Sequence, residues 1–341
     1  MRSFRVVAAT IAAVMVAAVA GAQQSQTTYH VTRTFKLGGQ GRWDYIHAEA
    51  AAHRLYISRS DHVQVLDTRT GKVIGEIPGT AGVHGIAIAP KLHRGFTSNG
   101  GSGTVTIFDT RSLKVIGTVK VDQGPDCIIF DPATNRVFTF NGRAETATAI
   151  DAATGTVAGS IPLGGRPEYA IADGRGMVYD NLEDKSEIVA IDAQKLTIAH
   201  TWPIAPGQEA SGIAMDRQNR RLFAVCRNKM MVVMDADTGA VLATPAIGSG
   251  PDAAGFDPGA ELAFSSNGGS GTLTLIHEDS NSAFSVVADV PTAPGARTMA
   301  LDTKTHHVFL ATARFQPASA GEPPWRRQMV PNSFEIIEVS P

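Results

Sequence analysis

The chain has 341 residues, of which 18% are charged, and a formal net charge of −2. No run of Lys or Arg is present, so there is no strong electrostatic signal for nucleic acid or for an anionic membrane surface. Its 34 Gly and 18 Pro residues are typical of short strands joined by many turns. Neither C-x-x-C nor C-x-x-C-H occurs, which excludes covalently attached haem and a Cys-based zinc site.

The first residues have the pattern of an export signal. Arg2 and Arg5 precede an apolar run at 6–19, in which only Thr10 is polar, and small residues at 20–22 stand before Gln23. We therefore expect 1–22 to be a signal peptide and the mature protein to be periplasmic or secreted. The apolar run is short for a transmembrane helix, so no membrane span is expected after cleavage.

A repeat of about forty residues runs through the rest of the chain. Its marker is an Asp that closes the third strand of each unit, with successive spacings of 42, 42, 41 and 43 residues. These are Asp67, Asp109, Asp151, Asp192 and Asp235. Short strands at this period predict an all-β fold, a seven-bladed β-propeller of four-stranded antiparallel blades, forming a single domain over 23–341. A lone strand at 29–37 is expected to close the ring by pairing into the last blade.

Acidic turn residues and two cysteines are predicted to be structural. The third-strand Asp residues precede tight turns, where an Asp side chain accepts hydrogen bonds from the following backbone. A second set, between the first and second strands, has the same role: Asp131, Asp216, Asp257 and Asp302. Cys127 and Cys226 fall at different strand positions, which favours buried free thiols over a disulfide.

Three segments resemble a known repeat family. VFTFN, TVTIFDTRSLKVIGTVKV and GPDCIIFDPATNR are similar to the strands of the YVTN-repeat β-propellers, or YncE-like proteins. The resemblance extends over about 38–339, although no blade contains the complete Tyr-Val-Thr-Asn tetrapeptide. It implies an exported seven-bladed ring and specifies the fold better than the function.

One position near the start of each first strand forms a candidate ring at the channel mouth. Six of its seven residues are ionisable. Acidic oxygens with one imidazole could hold a divalent cation, Ca²⁺ or Mg²⁺, or an amine, and no other cofactor is indicated. The alternative is a solvated polar rim, and a single His is often only a rim residue. The ring consists of Asp44, His84, Asp126, Glu168, Ser211, Asp252 and Arg297, of which Ser211 and Arg297 are not metal-ligand candidates.

Loops on the same face supply further candidate binding residues. A long insertion in the last blade, 316–332, contains four Pro residues and could fold over the mouth as a lid or pack on neighbouring loops. The remaining rim loops either bind a ligand or keep the surface soluble. The rim and lid candidates are Arg59, Arg143, Arg227, Asn228, Arg314, Trp325, Arg326 and Arg327.

No catalytic motif is recognisable, so we favour a monomeric binding scaffold of the cell envelope over an enzyme. Its ligand would be a small molecule, a peptide or an envelope component at the channel mouth. A metal-dependent propeller hydrolase or lyase, such as a lactonase, is the first alternative. Binding of single-stranded DNA or glycan is the second, although aromatic residues are only 6% of the chain and the ring is mainly acidic.

Overall fold

A computed structural model describes residues 28–317 and 328–341. Within these residues, 28 strands form seven four-stranded antiparallel sheets. This confirms the predicted all-β, seven-bladed propeller. No helix in the described ranges is long and apolar enough to cross a membrane.

The first strand of the chain closes the ring. Strand β1 (His30–Lys36) pairs antiparallel with the last strand, β28 (Glu335–Ser340), in the register His30 to Ser340 and Lys36 to Glu335. Tyr29, just before β1, packs its ring edge-on against Phe264 of the neighbouring blade at 5.4 Å between ring centroids. The predicted closure by the N-terminal strand is therefore confirmed.

The first three blades follow β1 in chain order. Blade one contains β2 (Ile46–Glu49), β3 (Arg54–Arg59), β4 (His62–Asp67) and β5 (Lys72–Ile77). Blade two contains β6 (Val83–Ala89), β7 (Arg94–Asn99), β8 (Thr104–Asp109) and β9 (Val115–Lys120), with a 3₁₀ turn at Pro90–Leu92. Blade three contains β10 (Pro125–Asp131), β11 (Arg136–Asn141), β12 (Thr146–Asp151) and β13 (Val157–Pro162).

The last four blades complete the ring. Blade four contains β14 (Pro167–Ala172), β15 (Met177–Leu182), β16 (Glu187–Asp192) and β17 (Thr197–Pro203), with a 3₁₀ turn at Glu183–Lys185. Blade five contains β18 (Ala210–Asp216), β19 (Arg221–Cys226), β20 (Met230–Asp235) and β21 (Val241–Ala243). Blade six contains β22 (Pro251–Asp257), β23 (Leu262–Asn267), β24 (Thr272–Ser280) and β25 (Ala283–Pro291). Blade seven contains β26 (Thr298–Asp302), β27 (His307–Thr312), β28 and β1.

Burial follows the position of a strand within its blade. The second and third strands are buried on both faces, as in β7, where five of six residues are buried. Fourth strands are edges, and in β9 every residue is exposed or only half-buried. The apolar side chains of neighbouring blades therefore form a nearly continuous core between sheets, while the outer edge strands expose Val and Ile as well as Lys, Gly and Thr.

The turn aspartates are structural, as predicted. Asp67 Oδ1 accepts hydrogen bonds from the backbone N–H groups of Arg69 and Thr70, both at 3.0 Å. Asp131, at the other set of turns, accepts from Ala133 and Thr134 at 3.3 and 3.1 Å. Cys127 and Cys226 are free and buried, which confirms the prediction of buried thiols without a disulfide.

Candidate functional site

The seven ring residues lie at the starts of the seven first strands. In five blades a β-bulge falls there, because the pairing with the second strand skips a step at the ring residue. The other two, Asp44 and Arg297, stand just before β2 and β26, so blade one begins later than the sequence suggests. A bulge turns a side chain out of the regular ladder, which suits a ring of side chains aimed at one point.

His84 joins the carboxylates of two neighbouring blades. Its Nδ1 lies 2.6 Å from Asp44 Oδ2 and 3.5 Å from Asp126 Oδ1. Burial alone would lower the pKa of His84, but the hydrogen bond to Asp44 and the charges of Asp126 and Asp44 outweigh it and raise the pKa to about 9. His84 is therefore a cation at neutral pH.

Arg297 is the second cation of the ring. Its Nη1 lies 2.6 Å from Asp252 Oδ2 and its Nη2 lies 3.7 Å from Asp44 Oδ1. Burial raises the pKa of Asp252 to about 6, even though Arg297 opposes the shift. Asp44 thus lies between His84 and Arg297, and its carboxylate pairs with both side chains.

Two further carboxyl groups have no comparable partner. Burial, followed by the charge of Asp44, raises the pKa of Asp126 to about 7. Its Oδ1 is buried and forms no hydrogen bond within the described structure, the 3.5 Å contact with His84 being an ion pair only. Burial and the charges of Asp126 and Asp252 raise the pKa of Glu168 well above its usual range. The mouth therefore holds more carboxylate than its own cations neutralise.

Ser211 completes the ring as a scaffold residue. Its Oγ donates to the carbonyl of Pro251 at 3.2 Å, and its own carbonyl accepts from Asn181 Nδ2 at 2.7 Å. It is 9% exposed. Its side chain faces the neighbouring strand's backbone and offers little to a ligand.

Of the rim candidates, Arg59 lies inside the protein. It is 2% exposed, its guanidinium donates to the carbonyls of Gly38 and Gln40, and its Cζ lies 3.9 Å from the centre of the Phe334 ring. These contacts order the segment before blade one. Its position between the second and third strands predicted a binding residue at the rim, but the sequence does not reveal whether a side chain is buried. Arg59 supports the fold and is not exposed to a ligand.

The other described rim candidates lie at the surface. Arg227 pairs with Glu209 at 2.7 Å and with Glu183 at 3.5 Å. Asn228 holds its loop by donating to the Pro206 carbonyl at 2.9 Å. Arg143 and Arg314 are exposed. Trp325, Arg326 and Arg327 lie outside the described residues, as do most of the predicted lid and the signal segment.

Two tyrosines below the mouth were not predicted. The ring of Tyr45, from blade one, lies 4.9 Å from that of Tyr169, from blade four, so the two meet across the channel. Tyr45 is 7% exposed and packs with Cys127 of blade three. Burial raises its pKa above the usual range, and Glu168 is the largest charge contribution. Both tyrosines directly follow ring residues in the sequence, which is the signal that could have indicated them.

A buried carboxyl behind the ring was also missed. Asp180 on β15 is fully buried, and neither of its oxygens has a hydrogen-bond partner among the described residues. Three of the six equivalent positions carry small hydroxyl residues, as at Thr97, whose Oγ1 donates to Asn99 Oδ1 at 2.8 Å. Burial and the charge of Glu168 raise the pKa of Asp180 well above its usual range.

Second-strand side chains hold the ring backbone in place. Ser58 Oγ accepts from the backbone N–H of Asp44 at 2.8 Å. Ser98 Oγ accepts from Gly85 N at 2.8 Å and donates to the carbonyl of Asp126 in the next blade. Ser266 similarly donates to the carbonyl of Arg297. The fifth position of the second strand thus fixes the ring backbone, in blades two and six across a blade boundary.

The arrangement can hold a cation. In the part of the chain that the structure describes, Asp44, His84 and Asp126 are the group of metal-ligand type, with one ligand atom from each residue within 4.8 Å of the others. Glu168 and Asp252 add carboxylate charge beside this group, as the pKa contributions show. A divalent ion or an organic amine would satisfy these oxygens, and a divalent ion would compete with the proton on His84.

Solved structures similar to this chain share its fold. A chain of the mitotic checkpoint complex aligns over 99% of both chains at 14% identity, with a TM-score of 0.75. The WD40 repeats of RRP9 align over 91% of this chain and 97% of theirs at 10% identity, with a TM-score of 0.75. A chain of hydrazine synthase from Kuenenia stuttgartiensis aligns over 84% of this chain and 95% of its own length at 17% identity, with a TM-score of 0.69.

No family model matches the chain, and no curated protein sequence matches it. At identities of 10–17% the structural neighbours establish the fold alone. The chain is a seven-bladed, WD40-like β-propeller.

Proposed function

We propose that this protein is an exported binding propeller of the cell envelope, related to the YVTN-repeat proteins, that binds a cationic ligand at the channel mouth. One observation carries the binding role. Four carboxylates, Asp44, Asp126, Glu168 and Asp252, meet at the mouth with only His84 and Arg297 to neutralise them. The export signal predicted at 1–22 and the strand motifs support the location and the relationship.

The pKa values explain why the ligand should be positively charged. Asp126 and Asp252 hold protons up to pH values of about 7 and 6 because their ionised forms are poorly compensated. A bound cation would supply the missing charge and release these protons. The Tyr45 and Tyr169 rings beneath the mouth give the same ligand an apolar floor.

Thermal denaturation with a panel of cations tests this proposal. Wild-type protein is heated with chlorides of Ca²⁺, Mg²⁺, Mn²⁺ and Zn²⁺ and with 1,4-diaminobutane at matched ionic strength. We expect at least one cation to raise Tm, with a stabilisation of about 2.7 kcal/mol at 100 times its Kd. Asp126→Asn should reduce that shift, because it removes the contribution of the channel mouth.

Asp237→Asn is the matched control, because Asp237 is an exposed turn residue whose side chain is 60% exposed. It should keep the full response, because Asp237 lies in the turn after β20 and is not a ring residue. No stabilisation by any cation, or an equal shift in wild type and Asp126→Asn, would overturn the proposal.

The compact group of Asp44, His84 and Asp126 also favours a second candidate function, a metal-dependent hydrolase such as a lactonase. A divalent ion there would polarise a carbonyl oxygen or activate a bound water, and the raised pKa of Asp126 would suit a proton carrier. Lactone hydrolysis that requires a divalent ion and disappears in Asp126→Asn would replace the purely binding role.

A further inference from the structure

A second acidic site lies at the other end of the blades, between blades five and six. Its central residue, Glu278, belongs to the extended strand β24. In five other blades the residue at this position, next to the end of the third strand, is small and buried, and its backbone N–H donates to the turn between the first two strands. Glu278 N likewise donates to Glu261 O at 2.9 Å. The equivalent residues are Thr68, Thr110, Ala152, Ala193 and Ala236.

Glu278 is buried without a donor for one of its oxygens. The residue is 6% exposed, and its Oε2 is buried with no hydrogen-bond partner in the described ranges. Its Oε1 accepts only a long contact from Asn219 Nδ2 at 3.4 Å. Beside it lies Asp216, which is 3% exposed, and burial together with this second acid raises the pKa of Glu278 to about 7.

Neighbouring blade interfaces place a basic residue where this interface does not. The acid that ends the first strand of blade four, Asp173, pairs with Arg220 of blade five at 2.8 Å. The acid that ends the first strand of blade six, Asp257, pairs with His306 of blade seven at 2.6 Å. Arg220 and His306 occupy the same turn position, each with positive φ. At both interfaces the protein therefore supplies its own basic side chain.

Between blades five and six that turn position holds an acid. The corresponding residue is Glu261, with φ of 54°. Asp216 and Glu278 therefore share a cavity with Glu261, where the flanking interfaces have a base. These residues line a cavity of about 190 Å³ together with Asn219, Asp279 and the hairpin tip at Asn281.

The nearby bases are committed elsewhere. Arg221 directs Nη1 to Asp235 Oδ2 at 2.8 Å and Nε to the carbonyl of Asn281 at 3.2 Å. His277 Nδ1 lies 2.8 Å from Asp279 Oδ1 and its Nε2 lies 3.9 Å from Glu261. Asp216 accepts backbone N–H groups from its own turn, from Gln218 and Asn219 at 2.9 and 3.1 Å. None of these contacts reaches Glu278 Oε2.

We propose that Asp216 and Glu278 bind a hard divalent cation, of the Ca²⁺ class, in this cavity. The ion takes the place that Arg220 and His306 fill at the flanking interfaces. The available donors are carboxylate and amide oxygens, which suit Ca²⁺ better than softer metals. Asp216 ends the strand that begins near Ser211, about 17 Å away along β18, so this site is separate from the channel mouth.

Calcium titration in an Asp126→Asn background tests the site without a contribution from the mouth. Isothermal calorimetry and Tm are measured with CaCl₂ as the probe. We expect Ca²⁺ binding and a raised Tm, both lost in the Glu278→Ala double variant. Because Glu278 would be a direct ligand, the loss of affinity should exceed the roughly 10–100-fold cost of losing an outer-shell partner.

Two features keep the outcome decisive. Ala is the residue that blades three, four and five have at this position, so Glu278→Ala should fold, with near-UV circular dichroism as the check. Glu261→Arg restores the base of the neighbouring interfaces and should also make the protein insensitive to Ca²⁺ without lowering its basal Tm.

If Asp126→Asn protein neither binds nor responds to Ca²⁺ at millimolar concentration, or if Glu278→Ala and Glu261→Arg respond like their parent, the proposal is wrong. The channel-mouth proposal is unaffected by either result, because it depends on Asp126.

Discussion

Aspartate residues of this protein have opposite titration behaviour according to their place in the blade. At the turns, hydrogen bonds from the Arg69 side chain and the Thr70 backbone lower the pKa of Asp67 to about 2. At the mouth, burial and neighbouring acids raise the pKa of Asp126 to about 7. Folding therefore favours the ionised form of Asp67, which holds its turn, and disfavours the ionised form of Asp126, which a bound cation would compensate.

Replacing Asp44 should change the titration of His84. Asp44→Asn removes the hydrogen-bonded carboxylate at 2.6 Å, so the pKa of His84 should fall from about 9 by about 1–2 units. The measurement is a ¹H–¹⁵N NMR titration of the histidine rings in metal-free buffer, with the His84 signal assigned from its absence in His84→Gln.

A matched pair gives the control for this titration. Asp61 lies 2.8 Å from His62 at an exposed site, so Asp61→Asn makes the same chemical change away from the ring. It should leave the His84 midpoint where it is, and an unaltered midpoint in Asp44→Asn would contradict the assignment.

Because the folded pKa of His84 lies above its unfolded value of 6.5, its stabilising effect is complete below pH 6.5 and is lost as pH rises through about 9.

At the scale of the strand, the second strand of one blade positions the first strand of the next. Ser98 on β7 accepts from Gly85 in its own blade and donates to the Asp126 carbonyl in blade three. Asn181 on β15 makes the equivalent contact to Ser211 in blade five. These bonds fix the bulges on which the ring residues stand, so the geometry of the mouth depends on residues that do not line it.

Ser98→Ala should therefore destabilise the protein and disturb the mouth together. It leaves a buried N–H and a carbonyl without their partner, at a cost of about 1–3 kcal/mol. Urea unfolding should show a lower midpoint with an unchanged m-value. Ser102→Ala in the adjacent exposed turn should be close to neutral. Equal stability of the two variants would show that the cross-blade bonds contribute little.

The strands and turns could be predicted from the sequence because the repeat imposes them. The contacts between blades could not be predicted. Aligning blades on their turn residues placed Asp126 and Asp252 at one height in the ring. It could not show that His84 pairs with Asp44, that Tyr45 reaches Tyr169, or that Arg59 points inward, because each depends on how far side chains extend between blades. Glu278 stood out from the small residues of other blades only once the strand register was known.

At the scale of the whole molecule, the ring has one seam at which the two ends of the described chain meet. There, β1 pairs with β28 over six residue pairs, and Arg33 forms a double hydrogen bond with Glu338 at 2.6 and 2.9 Å. Glu338 is 1% exposed and also contacts His307 at 2.5 Å. The seam thus depends on an edge strand, a half-buried ion pair and the Tyr29 ring, which contact parts of the chain distant in sequence.

A variant that begins at residue 37 should lose cooperative stability, because it removes β1 from the last blade. The edge of β28 loses its backbone partners, the carboxylate of Glu338 loses Arg33, and the pocket of Tyr29 beside Phe264 opens. Burial of Tyr29 alone accounts for about 2 kcal/mol, so a total loss of several kcal/mol is expected. Guanidinium unfolding followed by both tryptophan fluorescence and far-UV circular dichroism measures it, since a weakened seam separates the two transitions.

A variant that begins at residue 28 is the control and should unfold like the protein without its first 22 residues. If the shorter variant keeps a single transition at the same midpoint, the seam does not hold the ring together, and the contacts between neighbouring blades are sufficient to close it.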